Sequence, residues 1–216
     1  MSAHSGRVRI PNGKPESDKR QRILDAAVQV FAARGFYNAR VSDIAREAGV
    51  ADGTIYLYFK NKDDLLINLF EDRMDLIIAA FQETLAATET ATAGLRRLVH
   101  LHLELVAQEP TLAEVLTVEL RQSAKFMREY KAPKFADYLA IWTALIERGQ
   151  SAGEFRADLN PAILTLALFG ALDEVSLHWV GARRKPYELS AAADEIWNLC
   201  VGGLFARGAP NDTATA

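Results

Sequence analysis

Residues 41–62 read VSDIAREAGVADGTIYLYFKNK, and this stretch decides the fold of the N-terminal part of the chain. Ile44 and Ala48 recur at helical spacing and predict a short helix with one apolar face. Gly49 is expected to end that helix, because glycine takes up the left-handed conformation at little steric cost. A second short helix is predicted for residues 53–59. Two helices joined by a tight turn containing glycine form a helix-turn-helix.

The second helix of this pair is predicted to have one face for the core and one for solvent. Ile55 and Phe59, four residues apart, are expected to face the core. Asp52 is predicted to cap the helix, because a carboxylate at that position can accept hydrogen bonds from the unpaired amides of the first turn. The outer face then carries Thr54, Tyr56 and Tyr58.

The segment VSDIAREAGVADGTIYLYFKNKDDLL, residues 41–66, resembles the DNA-binding signature of the TetR-type repressors. The resemblance covers roughly residues 18–66 without a gap and rests on an Ile-Ala pair, Ala-Gly-Val, Tyr-x-x-Phe and Lys-x-x-Leu at fixed spacing. Val41 departs from the pattern, since the family often carries Thr there, and Ser42 could supply the missing hydroxyl. The resemblance implies contacts with double-stranded DNA, mostly at phosphates. The predicted DNA-binding residues are Ser42, Gly53, Thr54, Tyr56, Tyr58 and Lys62, with Gly53 allowing close approach.

The composition is ordinary for a soluble globular protein, with 50% hydrophobic and 25% charged residues. The single cysteine, Cys200, excludes an internal disulfide framework and a multi-cysteine zinc site, so a cytoplasmic location is predicted and Cys200 is expected to be a buried apolar residue. No secretory signal is recognised at the N-terminus. The longest apolar run, residues 162–172, is shorter than the ~20 residues of a membrane span, so no membrane partner is predicted.

The charge of the chain is divided unevenly, although the net charge is only −3. Residues 1–60 carry 10 Lys and Arg against 6 Asp and Glu, whereas residues 61–216 carry 15 against 22. The positive excess therefore accompanies the helix-turn-helix. Because neutralised phosphates release counterions and so supply most of the sequence-independent affinity, this division favours a DNA-binding head on an acidic body.

Helical periodicity continues along the chain and predicts an all-α fold. The resemblance to the TetR-type repressors implies an N-terminal three-helix helix-turn-helix domain followed by a larger helical domain for ligand binding and dimerisation. Ser17 or Asp18 is predicted to cap the first helix, which Gly35 ends. Asn160, followed by Pro161, is predicted to begin a later helix. The predicted organisation is a flexible basic arm at 1–16, the helix-turn-helix domain at 17–61, the ligand-binding and dimerisation domain at 62–208, and a tail at 209–216.

The last two predicted helices, residues 161–180 and 188–206, are apolar on more than one side. Such helices are buried on both sides, and two from each of two chains would form a four-helix bundle. A homodimer is also expected because a helix-turn-helix protein gains specificity from two half-sites ~34–36 Å apart.

A small-molecule effector is predicted to bind within the body of the chain. Its apolar residues, including a helical pattern at 112–126, could enclose an apolar tail, and five cations between Arg121 and Lys134 could bind a polyanionic headgroup. The alternative interpretation of these cations is a solvated helix face. The predicted ligand-binding residues are Leu105, Leu112, Val115, Leu116, Arg121, Lys125, Phe126, Arg128, Lys131, Tyr138, Trp142, Phe169 and Leu172.

A second resemblance sharpens this prediction. The segments EVLTVELRQSAKFMREY, GQSAGEFRADLNP and LALFGALDEVSLHWV resemble the C-terminal domain of the TetR branch that represses fatty-acid degradation genes. That branch releases DNA on binding long-chain acyl-CoA, so the resemblance implies an acyl-CoA effector and a repressor of fatty-acid degradation. The alternative is a TetR-type repressor that responds to another apolar small molecule, such as a drug or a metabolite.

An enzyme is not predicted, although a helical enzyme or structural protein is the distant alternative. No catalytic residue and no cofactor is predicted, because the chain shows neither a nucleophile elbow, nor a phosphate-binding glycine loop, nor a zinc-protease motif. Glu174 and His178 lie four apart on one predicted helix and could hold a metal, but no third ligand lies near them in the sequence. A metal site is therefore not predicted.

Overall fold

The computed structural model describes residues 16–120 and 130–204. All the regular elements found within these residues are helices, as the predicted all-α fold required. They are α1 (Glu16–Asn38), α2 (Val41–Ala48), α3 (Asp52–Tyr58), α4 (Lys62–Ala86), α5 (Ala91–Gln108), α6 (Pro110–Glu114), α7 (Pro133–Ser151), α8 (Pro161–Gly181) and α9 (Leu189–Leu204). A π-helical turn, Val115–Glu119, follows α6 directly.

The chain divides into two compact units. The first contains residues 1–80 and Glu119–Tyr130, and the second contains Phe81–Val118 and residues 131–216. The chain therefore passes from one unit to the other within α4, and again at Val118 and Tyr130. The predicted domain boundary between residues 61 and 62 lies at the start of α4, whereas the compact units divide within α4, after residue 80. The predicted domain bounds stay a prediction.

The first unit is built around the apolar side of α1. Ile23, Leu24, Ala27 and Phe31 are fully buried there, together with Ile44 of α2 and Leu65 and Leu69 of α4. Gly35 interrupts α1 with φ 74° and ψ 153°, a backbone conformation that favours glycine. The break lies where the end of the helix was predicted, but three further helical residues follow it. The cap prediction was wrong, since α1 begins at Glu16 and both Ser17 and Asp18 lie inside it.

The turn between α2 and α3 has the predicted glycine geometry. Gly49 is left-handed, with φ 64° and ψ 40°, and its N–H bonds to the Arg46 carbonyl, while the Val50 N–H bonds to the Ala45 carbonyl at 3.0 Å. The predicted cap at Asp52 was wrong. Ala51 is the N-cap residue and Asp52 is the first residue of α3, where its charge still favours the positive end of the helix dipole.

The second unit has an aromatic core on α7. Tyr138 and Trp142 are buried beside Phe81, and their ring centroids lie 5.3 and 5.8 Å from that of Phe81. Helix α8 starts as predicted, because the Asn160 side chain accepts hydrogen bonds from the N–H groups of Ala162 and Ile163.

Helices α8 and α9 leave large apolar side chains exposed. Ile163 and Leu166 of α8 are 65% and 59% exposed, and Leu199 of α9 is 74% exposed. Of the helices in residues 16–120 and 130–204, only α8 is long and apolar enough to cross a membrane, a test that core helices of soluble proteins also pass. Only 22% of its most apolar window is buried within the chain.

Candidate nucleic-acid interface and effector site

Helix α3 presents most of the predicted DNA-binding residues. Its inner side is fixed by Ile55 and, just beyond its end, Phe59, each only 1% exposed. Tyr56 is 58% exposed on the outer side, whereas Thr54 and Tyr58 are half-buried. Gly53 is exposed, and a Cβ added there would meet no atom within 4 Å. Together with Ser42, which is half-buried in the first turn of α2, these residues form the predicted DNA-binding surface, and their contact with DNA stays a prediction.

Leu57 was missed by the sequence reasoning. It is 82% exposed, the largest value among the exposed large hydrophobic residues of the described chain. Its position two residues from both Ile55 and Phe59 places it on the side of α3 opposite the core, and this spacing was the available signal. An apolar side chain on a recognition helix can contact the methyl group of thymine in the major groove.

Lys62 has a different role in the structure from the predicted DNA contact. Its ammonium group donates hydrogen bonds to the carbonyl oxygens of Phe36, Tyr37 and Ala39 at 2.6, 3.0 and 3.0 Å. It also lies 4.6 Å from the centre of the Phe36 ring. Burial lowers the pKa of Lys62, against the opposing effect of Asp63. Because an ammonium group has only three N–H donors, all of them are used within the protein.

Two arginines of α1 likewise bind within the first unit. Arg20 hydrogen-bonds to Asn68 and to Asp72, and it also forms an ion pair with Asp72. Arg22 donates to the Ala48 carbonyl at 2.6 Å and so supports the end of α2. No local sequence pattern predicts these bonds, since each partner lies at least 26 residues away.

Arg40 and Lys60 are the exposed cations that flank the helix-turn-helix. Arg40 is the N-cap residue of α2, and Lys60 follows α3 by two residues. Neither residue was among the predicted DNA contacts. An exposed cation at each end of the motif is placed to neutralise phosphates.

The predicted apolar effector residues that the structure describes lie in the second unit, but only some of them are brought together. Tyr138 contacts Trp142 and Phe169, with ring centroids 6.2 and 6.1 Å apart. Val115 and Leu172 are buried. Leu105, Leu112 and Leu116 are half-buried. The structure therefore provides an aromatic cluster on α7 and α8 and leaves the enclosure of an acyl chain as a prediction.

Most of the predicted cationic site lies outside the described residues. Arg121, Lys125, Phe126 and Arg128 fall within residues 121–129, which the structure does not describe. Lys131 is described and exposed, two residues before α7. The headgroup site therefore stays a prediction.

Polar groups also lie within the aromatic cluster, where Tyr138 is buried and His102 is half-buried. His102 Nδ1 lies 2.8 Å from the Tyr138 hydroxyl, and burial lowers the pKa of His102 to about 4, so the imidazole is neutral at pH 7. Burial also raises the pKa of Tyr138, so its hydroxyl keeps its proton. The indole N–H of Trp142 is buried and makes no hydrogen bond of normal geometry with any residue that the structure describes. The predicted effector region is therefore not purely apolar.

A groove of about 420 Å³ lies elsewhere in the second unit, between α5 and α9. Arg96, His100 and Trp197 line it, and none of the predicted effector residues does. The guanidinium of Arg96 lies 5.9 Å from the centre of the Trp197 ring. This groove is a different site from the predicted one.

The described residues contain no group of three or more side chains suited to hold a metal ion. His178 stacks on Tyr187 at 6.0 Å rather than pairing with Glu174. Cys200 is buried as predicted, and burial raises its pKa to about 11. A thiol with such a pKa is a weak nucleophile at neutral pH.

Two family models match consecutive parts of the chain, which together span residues 23–203. Residues 23–69 match the model described as bacterial regulatory proteins, tetR family. Residues 70–203 match the model described as YsiA-like protein, C-terminal region.

The chain is also similar to named regulators of fatty acid metabolism. It is 38% identical over 191 residues to the fatty acid metabolism regulator protein of Bacillus subtilis (strain 168), covering 88% of this chain and 98% of that protein. The crystal structure of the transcriptional regulator FadR from Bacillus subtilis in complex with stearoyl-CoA matches with a TM-score of 0.80 and 38% identity over 85% of this chain and 98% of that one. The fatty acid degradation regulator FadR from Bacillus halodurans matches with a TM-score of 0.79 and 36% identity over the same shares.

Proposed function

We propose that this chain, which belongs to the TetR family of bacterial regulatory proteins, is a transcriptional repressor that binds a palindromic operator as a homodimer and leaves it on binding a long-chain acyl-CoA. Genes of fatty-acid degradation are the targets that fit this effector. The carrying observation is the similarity to the fatty acid metabolism regulator over 88% of the chain, which extends well beyond the helix-turn-helix. A DNA-binding regulator acts where the chromosome lies, so the proposed location is the cytoplasm.

The DNA-binding part of the proposal rests on the outer side of α3. Tyr56 and Leu57 extend from it, and Gly53 leaves room for a close approach to the DNA backbone. We assign phosphate contacts to Arg40 and Lys60 in addition to Ser42, Thr54, Tyr56 and Tyr58. Lys62 acts differently, by holding the end of α1 against the start of α4.

The homodimer is supported by the exposed apolar residues of α8 and α9. Ile163, Leu166 and Leu199 would be costly to leave in water on a monomer, and a contiguous exposed apolar patch marks an interaction site. Pairing α8 and α9 with their copies in a second chain would bury these residues in a four-helix bundle. The symmetry of that dimer matches the two half-sites of a palindromic operator.

The effector part of the proposal rests on the FadR structure with stearoyl-CoA, to which this chain is 38% identical. The aromatic cluster around Tyr138 would contact the acyl chain, and Lys131 with the cations of residues 121–129 would contact the phosphates of the headgroup. Release requires that the acyl-CoA prefer the conformation that binds DNA poorly. A tenfold loss of DNA affinity needs only ~1.4 kcal/mol of such preference.

The proposal is tested with a labelled duplex from the promoter of the protein's own gene. Fluorescence anisotropy should show binding that weakens steeply with salt and is reversed by stearoyl-CoA. Stearic acid and free coenzyme A are the matched controls, because each carries only one half of the effector. Equal release by stearic acid would remove the headgroup assignment. Release by neither acyl compound would favour a different apolar effector, and binding indifferent to salt would contradict the DNA-binding proposal.

A further inference from the structure

Glu119 is a buried carboxylate with one unusual contact. It is 7% exposed, and its Oε2 accepts a hydrogen bond of 2.5 Å from the backbone N–H of Phe36, a residue 83 positions away in the sequence. Both residues belong to the first unit. A buried charge is costly unless it is paired or hydrogen-bonded, so this contact needs a reason.

The reason lies in the break of α1. Gly35 has φ 74°, so Phe36 begins a new helical segment, and the first N–H groups of such a segment have no helical partner. Glu119 supplies the acceptor, and its negative charge suits the positive end of the segment. A Cβ on Gly35 would lie 3.5 Å from Glu119 Oε2, so the glycine meets the carboxylate at contact distance.

The same residue, Phe36, is held from its other side by Lys62. The Phe36 carbonyl accepts a hydrogen bond of 2.6 Å from the Lys62 ammonium group, and the Phe36 ring lies under that cation. Lys62 is the first residue of α4 and follows the end of α3 by four residues. A row of contacts therefore runs from Glu119 through Phe36 to Lys62, and Lys62 follows helix α3 in the chain.

Glu119 lies at the point where the chain passes from the second unit into the first, so this row of contacts begins next to residues of the second unit. Glu119 is the last residue of the π-helical turn Val115–Glu119, and the four residues before it belong to the second unit. Val115 and Leu116 are among the predicted effector residues. The sequence predicted an uninterrupted α-helix over residues 112–126, but α6 ends at Glu114 and the π-turn follows. Such turns occur often at functional sites, and a change of one residue in the helical register rotates a side chain by about 100°.

We propose that Glu119 is the positioning residue that transmits effector binding to the helix-turn-helix. This inference rests on the proposed function. With the Glu119 to Phe36 hydrogen bond made, the break of α1 and the start of α4 are held in the conformation that binds DNA. An effector that changes the register of the turn Val115–Glu119 withdraws the carboxylate, frees the Phe36 N–H and weakens that conformation.

Tyr130 is the last residue of the second segment of the first unit, Glu119–Tyr130, and it provides a matched control. The Tyr130 hydroxyl donates a hydrogen bond of 2.6 Å to Glu71 of α4, and its ring contacts that of Phe70. Tyr130→Phe removes a hydrogen bond of similar length within the same unit but leaves the row through Phe36 intact. Glu119→Leu removes the proposed positioning contact, and Glu119→Gln keeps a carbonyl acceptor for Phe36.

The test compares DNA dissociation constants with and without stearoyl-CoA for the wild type and the three variants. Glu119→Leu should weaken DNA binding about tenfold without effector and bring the two dissociation constants close together. Stearoyl-CoA should bind this variant as tightly as the wild type or more tightly, because coupling between two ligands is reciprocal. Glu119→Gln and Tyr130→Phe should keep most of the wild-type response.

Hydrogen exchange on the wild type provides a measurement that does not depend on any variant folding. The amide of Phe36 should be protected in the free protein and should exchange faster when stearoyl-CoA is bound. Unchanged exchange on effector binding overturns the proposal, as does a wild-type response in Glu119→Leu or an equal loss in Tyr130→Phe. A wild type that binds the promoter but ignores stearoyl-CoA is a different result, since it removes the proposed effector and the coupling together.

Discussion

Two cations of the first unit, Arg22 and Lys62, point towards backbone carbonyl oxygens, whereas helices α8 and α9 of the second unit carry large apolar side chains that point towards solvent. Arg22 and Lys62 donate to carbonyls at the ends of α2 and α1, where they support the helix-turn-helix from within. Leu166 and Leu199 of the second unit are more than half exposed. Cations of a DNA-binding motif are thus found bonded within the protein, and leucines, which are usually buried, are found exposed to solvent.

The proposed DNA-binding surface and the proposed dimer surface must therefore be identified from different kinds of residue. In the first unit a cation in the motif does not mark a DNA contact by itself, because its donors can be used by the protein. The exposed aromatic and apolar residues of α3 are the better markers of the interface. In the second unit the exposed leucines are the basis of the proposed dimer surface, because water is an unfavourable environment for them.

The largest effect is expected from a charge on the proposed dimer surface. Leu166→Glu, or separately Leu199→Glu, should give a monomer, because an unpaired carboxylate would be buried in the four-helix bundle. The loss of the second DNA-binding head should lower operator affinity at least about 100-fold. Analytical ultracentrifugation and anisotropy measure the two effects.

Ala140→Glu is the control for this experiment, because it adds the same charge to an exposed position of α7. It should leave both the mass and the DNA affinity unchanged. A dimer that persists in both leucine variants would show that the exposed residues of α8 and α9 have another use.

Lys62 and Lys60 allow a cation that is bonded within the protein to be compared with one that is exposed to solvent. Lys62→Met should lower the free energy of unfolding by about 2 kcal/mol, because three carbonyl groups lose a charged donor. Lys60→Met should leave stability within about 0.5 kcal/mol and reduce the salt dependence of DNA binding by about one phosphate contact. Urea unfolding at fixed protein concentration and anisotropy at several salt concentrations test this difference. The reverse pattern would return Lys62 to the DNA interface.

The sequence predicted local features better than distant ones. The predictions that Gly49 ends one helix and that Asn160 caps the start of another are confirmed, because both features depend only on neighbouring residues. Asp52 was misplaced by one position, since a helix can start at the residue that appears to cap it. The bonds of Lys62, and the contact of Glu119 with Phe36, join residues 23 to 83 positions apart, and no periodicity reports such a pairing. Leu57 was missed because apolar residues are usually assigned to the core.

A smaller effect is expected from His102, the histidine of the second unit that contacts Tyr138. The pKa of His102 is lowered by burial to about 4 from 6.5, so the unfolded chain takes up a proton below pH 6.5 and the folded chain does not. Stability from this group is therefore present at pH 7 and is lost progressively as the pH falls from about 6.5 to 4. His102→Gln keeps a polar partner for Tyr138 and does not titrate. Urea unfolding should show the wild type losing more stability than the variant over this range, and parallel losses would contradict the neutral imidazole.

The smallest effect on folding, and the sharpest test of the DNA-binding surface, comes from Gly53→Ala. Gly53 lies in the first turn of α3, and the added methyl group meets no atom within 4 Å. Alanine is also favoured over glycine in a helix, so the free protein should become more stable by about 0.5 kcal/mol. If DNA approaches the backbone here, the same methyl group must push it away and operator affinity should fall although stability rises. Thermal unfolding and anisotropy on one sample separate the two quantities. A variant that is more stable and binds DNA with unchanged affinity would show that Gly53 does not face the DNA backbone, and the contact surface would then be centred on Tyr56 and Leu57.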